Sequence, residues 1–276
     1  MKIDRLFSVK NYGVVVTGGA SGIGLGYAEA LAVNGAHVTI LDVDPKGVEV
    51  ETGRLQAEGL SVRGDVVDVC DHISLDRAFD AAHAAHGRLD VVFANAGIDP
   101  GPGYVTGSPG TPPVRNSAGA LENYTDERWN HVIDVNLNGI FATLRAGARI
   151  MRPQRSGRMI VTTSVAAFKC GPFIGSAYMA AKAGAAHLMR QVALELAADN
   201  ITVNAIAPGS IITNIGGGHS KNPDVQAEMQ RVIPMHRSGL PEDMAGLALF
   251  LASPASAYVT GQQISIDGGW TLGAVD

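Results

Sequence analysis

Tyr12-Gly-Val-Val-Val-Thr-Gly-Gly-Ala-Ser-Gly-Ile-Gly24 runs from a short apolar, β-branched segment straight into a glycine-rich turn. The valines read as a strand over Tyr12–Thr17, and the residues after the turn read as a helix over about Ile23–Val33. The glycines fall as Gly18-x-x-x-Gly22-x-Gly24, between the first strand and the first helix. In that position they permit a tight turn and let a pyrophosphate approach the backbone N–H groups of a helix N-terminus. A glycine-rich stretch alone is weak evidence in a chain with 34 glycines, and its place between strand and helix raises its weight.

Working outward, the same alternation continues. Strands are expected at His37–Leu41, Ser61–Gly64, Asp90–Ala94, Arg158–Thr163, Ile201–Ile206 and Gln262–Ile266. Between them lie helical patterns near Pro45–Glu58, His72–His86, Asp126–Met151, Ser176–Ala198 and Pro241–Leu251. The strand segments are short and mostly apolar on both faces, as parallel strands covered by helices require. The expectation is one α/β domain over 1–276, doubly wound in the Rossmann manner, with a seven-stranded, mainly parallel sheet and helices on both faces. Two stretches break the rhythm. Asp99–Ala120 is dense in glycine and proline and reads as an insertion loop; Ser210–Ser238 reads as a lid over a site at the strand ends.

Composition narrows the classes of function. The 276 residues are 46% hydrophobic and 17% charged, enough for a large buried core. A net charge of −5 with no long basic run argues against nucleic acid or an anionic membrane as partner. No stretch has the apolar length of a membrane span, and Met1–Ser8 lacks the apolar core of a signal peptide. Cys70 and Cys170 have no ligand-like spacing, and the eight histidines form no metal motif, so neither a disulfide nor a metal is expected. Two thiols without partners fit a reducing cytoplasm.

Chemistry-bearing residues gather at the expected strand ends. Asp42 closes the second strand, where a carboxylate accepts from both adenosine ribose hydroxyls and repels a 2′-phosphate. Ala20 and Ser21 occupy the loop where a cation would otherwise neutralise such a phosphate. Together they point to NAD as cofactor. Gly64-Asp65-Val66 and Asn95-Ala96-Gly97 end the third and fourth strands, small enough for a dinucleotide to cross, with Asp65 placed to accept from the adenine amino group. Further on, Tyr178 and Lys182 lie four residues apart in a helical stretch, hence on one face a turn apart, with Ser164 upstream. A phenol titrates near ~10, and a fixed cation beside it favours the phenolate, as a general acid/base needs. Most Tyr-x-x-x-Lys pairs are ordinary helix surface, so the pair gains meaning only from its setting.

These motifs, in this order over roughly Tyr12–Trp270, resemble those of the short-chain dehydrogenase/reductase family in its compact, NAD(P)-dependent branch. The resemblance implies that Gly18, Ser21, Gly22, Ile23 and Gly24 hold the cofactor pyrophosphate. It makes Tyr178 the general acid/base and has Lys182 hold the nicotinamide ribose, while Ser164 orients the substrate oxygen. Asn136, within Asp134-Val-Asn-Leu-Asn-Gly139, would sit in a distorted helix and anchor a water linking Lys182 to solvent. Pro208, Gly209, Ile211 and Thr213 would contact the nicotinamide. It also implies a homo-oligomer, a tetramer or a dimer, built on the two long helices. The expected activity is NAD-dependent interconversion of a secondary alcohol and a ketone. Apolar residues after Ser164 and in the lid favour a cyclic or aromatic substrate. Two alternatives stay open: an NADPH-type 3-ketoacyl carrier-protein reductase, and an NAD-sensing protein without catalysis.

Overall fold

Valine-rich runs give strands buried on both faces because each side chain, alternating up and down, meets a helix layer. In the computed structural model, which describes residues 2–98, 101–107 and 112–273, this is how the chain is arranged. After the four-residue helix α1 (Ile3–Leu6), the first half runs β1 (Gly13–Thr17), α2 (Gly22–Val33), β2 (His37–Asp42), α3 (Pro45–Ala57), β3 (Val62–Val66), α4 (His72–His86) and β4 (Val91–Ala94). A two-strand hairpin follows, β5 (Val105–Thr106) and β6 (Val114–Arg115). The second half runs α5 (Asp126–Ile133), a π-helical turn (Asp134–Asn138), α6 (Gly139–Gln154), β7 (Gly157–Thr162), α7 (Ser176–Leu196) and β8 (Ile201–Pro208). It ends with α8 (Ile215–Gly218), α9 (Pro223–Val232), α10 (Ala245–Ala252) and β9 (Gln263–Ile266).

The main sheet has seven strands in the order β3-β2-β1-β4-β7-β8-β9, and every neighbouring pair is parallel. The order reverses between β1 and β4, which opens a crevice at the carboxyl ends of these two strands. Alternation along β1 divides the core. Val15 joins Leu75 and Phe79 of α4, Leu144 of α6 and Met189 of α7, whereas Val14 and Val16 join Tyr27 and Leu31 of α2, Leu55 of α3 and Leu251 of α10. The doubly wound α/β expectation is met.

Local chemistry sets the ends of the elements. Asp44 caps α3 by accepting from the Lys46 N–H, with Pro45 in the first turn, and Asp71 caps α4 by accepting from Ile73 and Ser74. Thr125 caps α5 in the same way through the Arg128 N–H. At the amino edge of the sheet, buried Asp90 accepts from the Gly13 N–H at 2.9 Å and from Arg88 Nε at 2.6 Å, which pins the starts of β1 and β4.

Several boundaries differ from the sequence reading, and three of them bear on the site or its surroundings. The third strand runs Val62–Val66 rather than Ser61–Gly64, carried on by its ladder with β2 as far as Asp42↔Val66. The helix expected over Asp126–Met151 carries a π turn at Asp134–Asn138, the distortion that the family resemblance implied around Asn136, and extends to Gln154. The segment expected as a helix over Pro241–Leu251 begins as a 3₁₀ turn, Pro241–Met244. The insertion at 99–120 is not structureless: it carries the hairpin, and Gly103 and Val105 donate to the Phe173 and Pro172 carbonyls. Arg128 holds it from the other side, donating to Pro102 O at 2.9 Å and Ala118 O at 2.7 Å. Residues 99–100 and 108–111 of this insertion lie outside the described residues. No helix among the described residues is long and apolar enough to cross a membrane.

Candidate active site

The crevice holds a cleft of about 460 Å³. Its floor at one end is the turn from β1 into α2, where Gly18, Ser21, Gly22, Ile23 and Gly24 line it. Ser21 is the N-cap of α2 but makes no side-chain cap, so the first N–H groups of the helix have no side-chain acceptor from it at a turn that lines the cleft, where an anion is favoured. Gly24 cannot be replaced without moving backbone, because a Cβ there would lie 2.0 Å from the Gly18 carbonyl oxygen. A Cβ on Gly97, across the cleft, would lie 2.8 Å from Asn136 Oδ1.

Asp42 also lines the cleft, and its carboxylate is fixed by the Ala20 N–H at 3.0 Å and the Asp44 N–H at 3.1 Å. Asn95, Ala96 and Gly97 lie along its middle. Asn95 is mainly a strut. Its Nδ2 donates to the Thr17 and Gly18 carbonyls, both at 3.1 Å, and its Oδ1 accepts from Thr162 Oγ1 at 3.0 Å. Pro208, Gly209, Ile211 and Thr213 line the opposite wall. Ile211 is buried and bridged to Gly239, and Thr213 is clasped by Ser220, whose Oγ accepts from its N–H and donates to its carbonyl.

Asp65 and Val66 do not line the cleft. Asp65 pairs with Arg63 at 3.0 Å and Val66 is exposed to solvent. Because β3 continues to Val66, the carboxyl edge of the sheet falls beyond it, and Val67, Asp68 and Val69 occupy the wall instead. The available signal was Asp71: as cap of α4 it marks the helix start, and the turn before it must hold the cleft residues. Ile98, Val43 and the exposed His131 also line the cleft and were not singled out from sequence.

The four residues expected to carry chemistry, Asn136, Ser164, Tyr178 and Lys182, all line this one cleft. The Tyr178 ring and the Lys182 Nζ share a face of α7, with Nζ 5.5 Å from the ring centre. Lys182 is buried and donates to the Thr162 carbonyl at 2.9 Å. Ser164 sits at the end of β7, and its Oγ accepts from the Ala166 N–H at 3.1 Å, which leaves its proton to donate elsewhere. Asn136 is fully buried in the π turn. Its Nδ2 donates to the Val132 carbonyl at 3.1 Å and its Oδ1 accepts from the Ile98 N–H at 3.3 Å.

Burial pushes the Lys182 ammonium down to about 8. Below that pH the folded and unfolded chains both carry the charge, and the cost of burying it is fully present. Between about 8 and the ordinary lysine value of 10.5, the unfolded chain holds a proton that the folded chain lacks, so this group makes stability rise with pH. Relative to Lys182→Met, the wild type is expected to gain about 3 kcal/mol across that window. Urea unfolding at pH 8 and pH 10 captures about 2 kcal/mol of it; a constant difference between the two proteins contradicts it.

The family model described as Enoyl-(Acyl carrier protein) reductase matches residues 18–271. The chain belongs to the short-chain dehydrogenase/reductase family of oxidoreductases. It is 32% identical to Dehydrogenase/reductase SDR family member 4 of Oryctolagus cuniculus, covering 97% of this chain and 96% of that protein. It is 36% identical to 3-oxoacyl-[acyl-carrier-protein] reductase FabG of Chlamydia muridarum, covering 94% and 97%. The crystal structure of gox2181 superposes with a TM-score of 0.88 at 33% identity, covering 99% of this chain and all of that one.

Proposed function

We propose that this oxidoreductase interconverts a secondary alcohol and a ketone with NAD(H), using Tyr178 as general acid/base. The observation that carries the reading is the buried Lys182 ammonium set beside the Tyr178 ring in the cleft that also holds Ser164. The glycine loop, the open start of α2 and the Asp42 carboxylate suit the pyrophosphate and adenosine ribose of a dinucleotide. When bound, that cofactor supplies or accepts the hydride.

The residues of the chain manage the oxygen and its proton. In reduction, Tyr178 Oη–H gives its proton to the substrate oxygen while Ser164 Oγ–H donates a hydrogen bond to the same atom. In oxidation the proton returns to Tyr178. Lys182, held by the Thr162 carbonyl, places a positive charge beside the phenol, and the buried Asn136 gives the amino group a polar neighbour across Gly97. Ile98, Ile211 and Ile215 on the cleft wall, and the exposed Phe168 and Phe173 on the segment between Ser164 and Tyr178, support an apolar, cyclic or aromatic substrate. The exposed thiols of Cys70 and Cys170 fit a reducing cytoplasm, and the long α6 and α7 fit assembly as a homo-oligomer.

A second reading, reduction of a 3-oxoacyl carrier-protein thioester with NADPH, takes its support from the Chlamydia muridarum relative. Cofactor choice separates the two. Among the described residues lining the cleft, Lys182 is the sole lysine or arginine, while Asp42 presents a fixed carboxylate at the β2 end. A 2′-phosphate there meets like charge without a counter-ion, so NADH is expected to bind at least about 100-fold more tightly than NADPH. Asp42→Asn should shrink that ratio mainly by improving NADPH. Fluorescence titration of both cofactors decides it, and tighter NADPH binding to the wild type would favour the second reading.

A further inference from the structure

Tyr27 carries a hydroxyl with no evident use. The residue lies on α2, fully buried, one turn after Gly24, with its ring stacked on Phe93 of β4 at 4.6 Å. Its Oη faces the Thr162 hydroxyl, yet it reaches hydrogen-bond geometry with neither Thr162 nor any other described residue. A phenylalanine would fill the same space without leaving a buried polar atom unpaired, so the hydroxyl calls for an explanation.

Its surroundings supply one. Phe93 of β4 pairs with Ile160 of β7, and both belong to the same core layer as Tyr27. Two residues on, along each strand direction, come Asn95 and Thr162, on that same face at the edge of the cleft. Thr162 stands at a junction. Its Oγ1 donates to Asn95 Oδ1 at 3.0 Å, and its carbonyl accepts from Lys182 Nζ at 2.9 Å. Asn95 passes the connection on through Nδ2 to the Thr17 and Gly18 carbonyls, beneath the glycine loop.

The direction of these bonds matters. Asn95 can hold the loop only with its NH₂ toward Thr17 and Gly18, which leaves Oδ1 to face Thr162 and obliges Thr162 to donate. A hydroxyl that accepts from Tyr27 is committed to donating onward, because its own proton is then left for Asn95. We infer that Tyr27 is a positioning residue for the dinucleotide site: its O–H donates to Thr162 Oγ1 when the glycine loop closes on the cofactor, locking the Thr162–Asn95 strut in the orientation that holds the loop. This rests on the dinucleotide reading above. The bond is not made in the present geometry, so its benefit is expected in binding rather than in folding.

The test is a double-mutant cycle on Tyr27→Phe and Thr162→Val, read by fluorescence titration with NADH, or with NADPH if the wild type prefers it, and by thermal unfolding without cofactor. Tyr27→Phe is expected to weaken cofactor binding about fivefold while its melting temperature stays equal to or above that of the wild type. In the Thr162→Val background the same change should have no further effect on binding. Unchanged affinity in Tyr27→Phe, additive effects in the cycle, or parallel losses of stability and affinity each overturn the assignment. If Thr162→Val fails to fold, the split between affinity and melting temperature in Tyr27→Phe decides alone. A wild type that binds neither dinucleotide refutes the proposed function instead.

Discussion

Tyr178→Phe is expected to lower turnover by a factor of about 10²–10⁴ while leaving NADH affinity within a few-fold of the wild type. The substitution removes one oxygen and keeps the ring, so the packing of α7 against its neighbours and the seat of Lys182 on the Thr162 carbonyl are retained. What is lost is the phenol proposed to give a proton to the substrate oxygen, since Ser164 can donate a hydrogen bond but is far too weak an acid to replace it. The wild type should oxidise faster as pH rises, because oxidation needs a base to take the alcohol proton, and that rise should vanish in the variant. Initial rates across a panel of alicyclic and aryl carbinols, followed by NADH absorbance from pH 6 to 10, measure both effects. Near-wild-type rates in Tyr178→Phe would remove this mechanism outright.

Asn95→Ala should cost about 2–4 kcal/mol of folding stability, an effect comparable in size but structural in origin. The side chain makes three hydrogen bonds across three strands, from the end of β4 to the end of β1 and to β7. Truncation strands the Gly18 carbonyl and the Thr162 hydroxyl in a part-buried site with no replacement. Asn95→Asp is the sharper variant. It is isosteric, but it turns two donors into an acceptor aimed at the Thr17 and Gly18 carbonyls, and it is expected to be at least as damaging as alanine. Chemical denaturation of the two variants provides the comparison; a loss below about 0.5 kcal/mol in both would show that the strut is dispensable.

Asn95 also shows where sequence reading succeeds. A polar residue at the tip of an apolar strand, followed by Ala96 and Gly97, is visible as a break in a hydrophobic run. Its partners on β1 and β7 are not, because they lie 67 to 78 residues away and depend on which strands become neighbours. Asp65 shows where the reading fails. Placing Asp65 at the cleft required knowing where β3 ends, and local propensity places an end only to within a few residues. In a strand, a displacement of one residue already exchanges the two faces.

From the chain alone follow the alternation of strands and helices, the glycine turn at the first crossover, the carboxylate closing the second strand, and the one-turn spacing of Tyr178 and Lys182. All of these depend on residues close together in sequence, where periodicity and steric limits act directly. The tertiary structure alone decided that Asp68 and Val69 face the cleft, that Asn136 accepts from the Ile98 N–H, that the insertion docks on Pro172–Phe173, and that Thr162 joins Lys182 to Asn95. Each of these depends on register between segments distant in sequence, which is set by burial of the whole core at once rather than by any local preference.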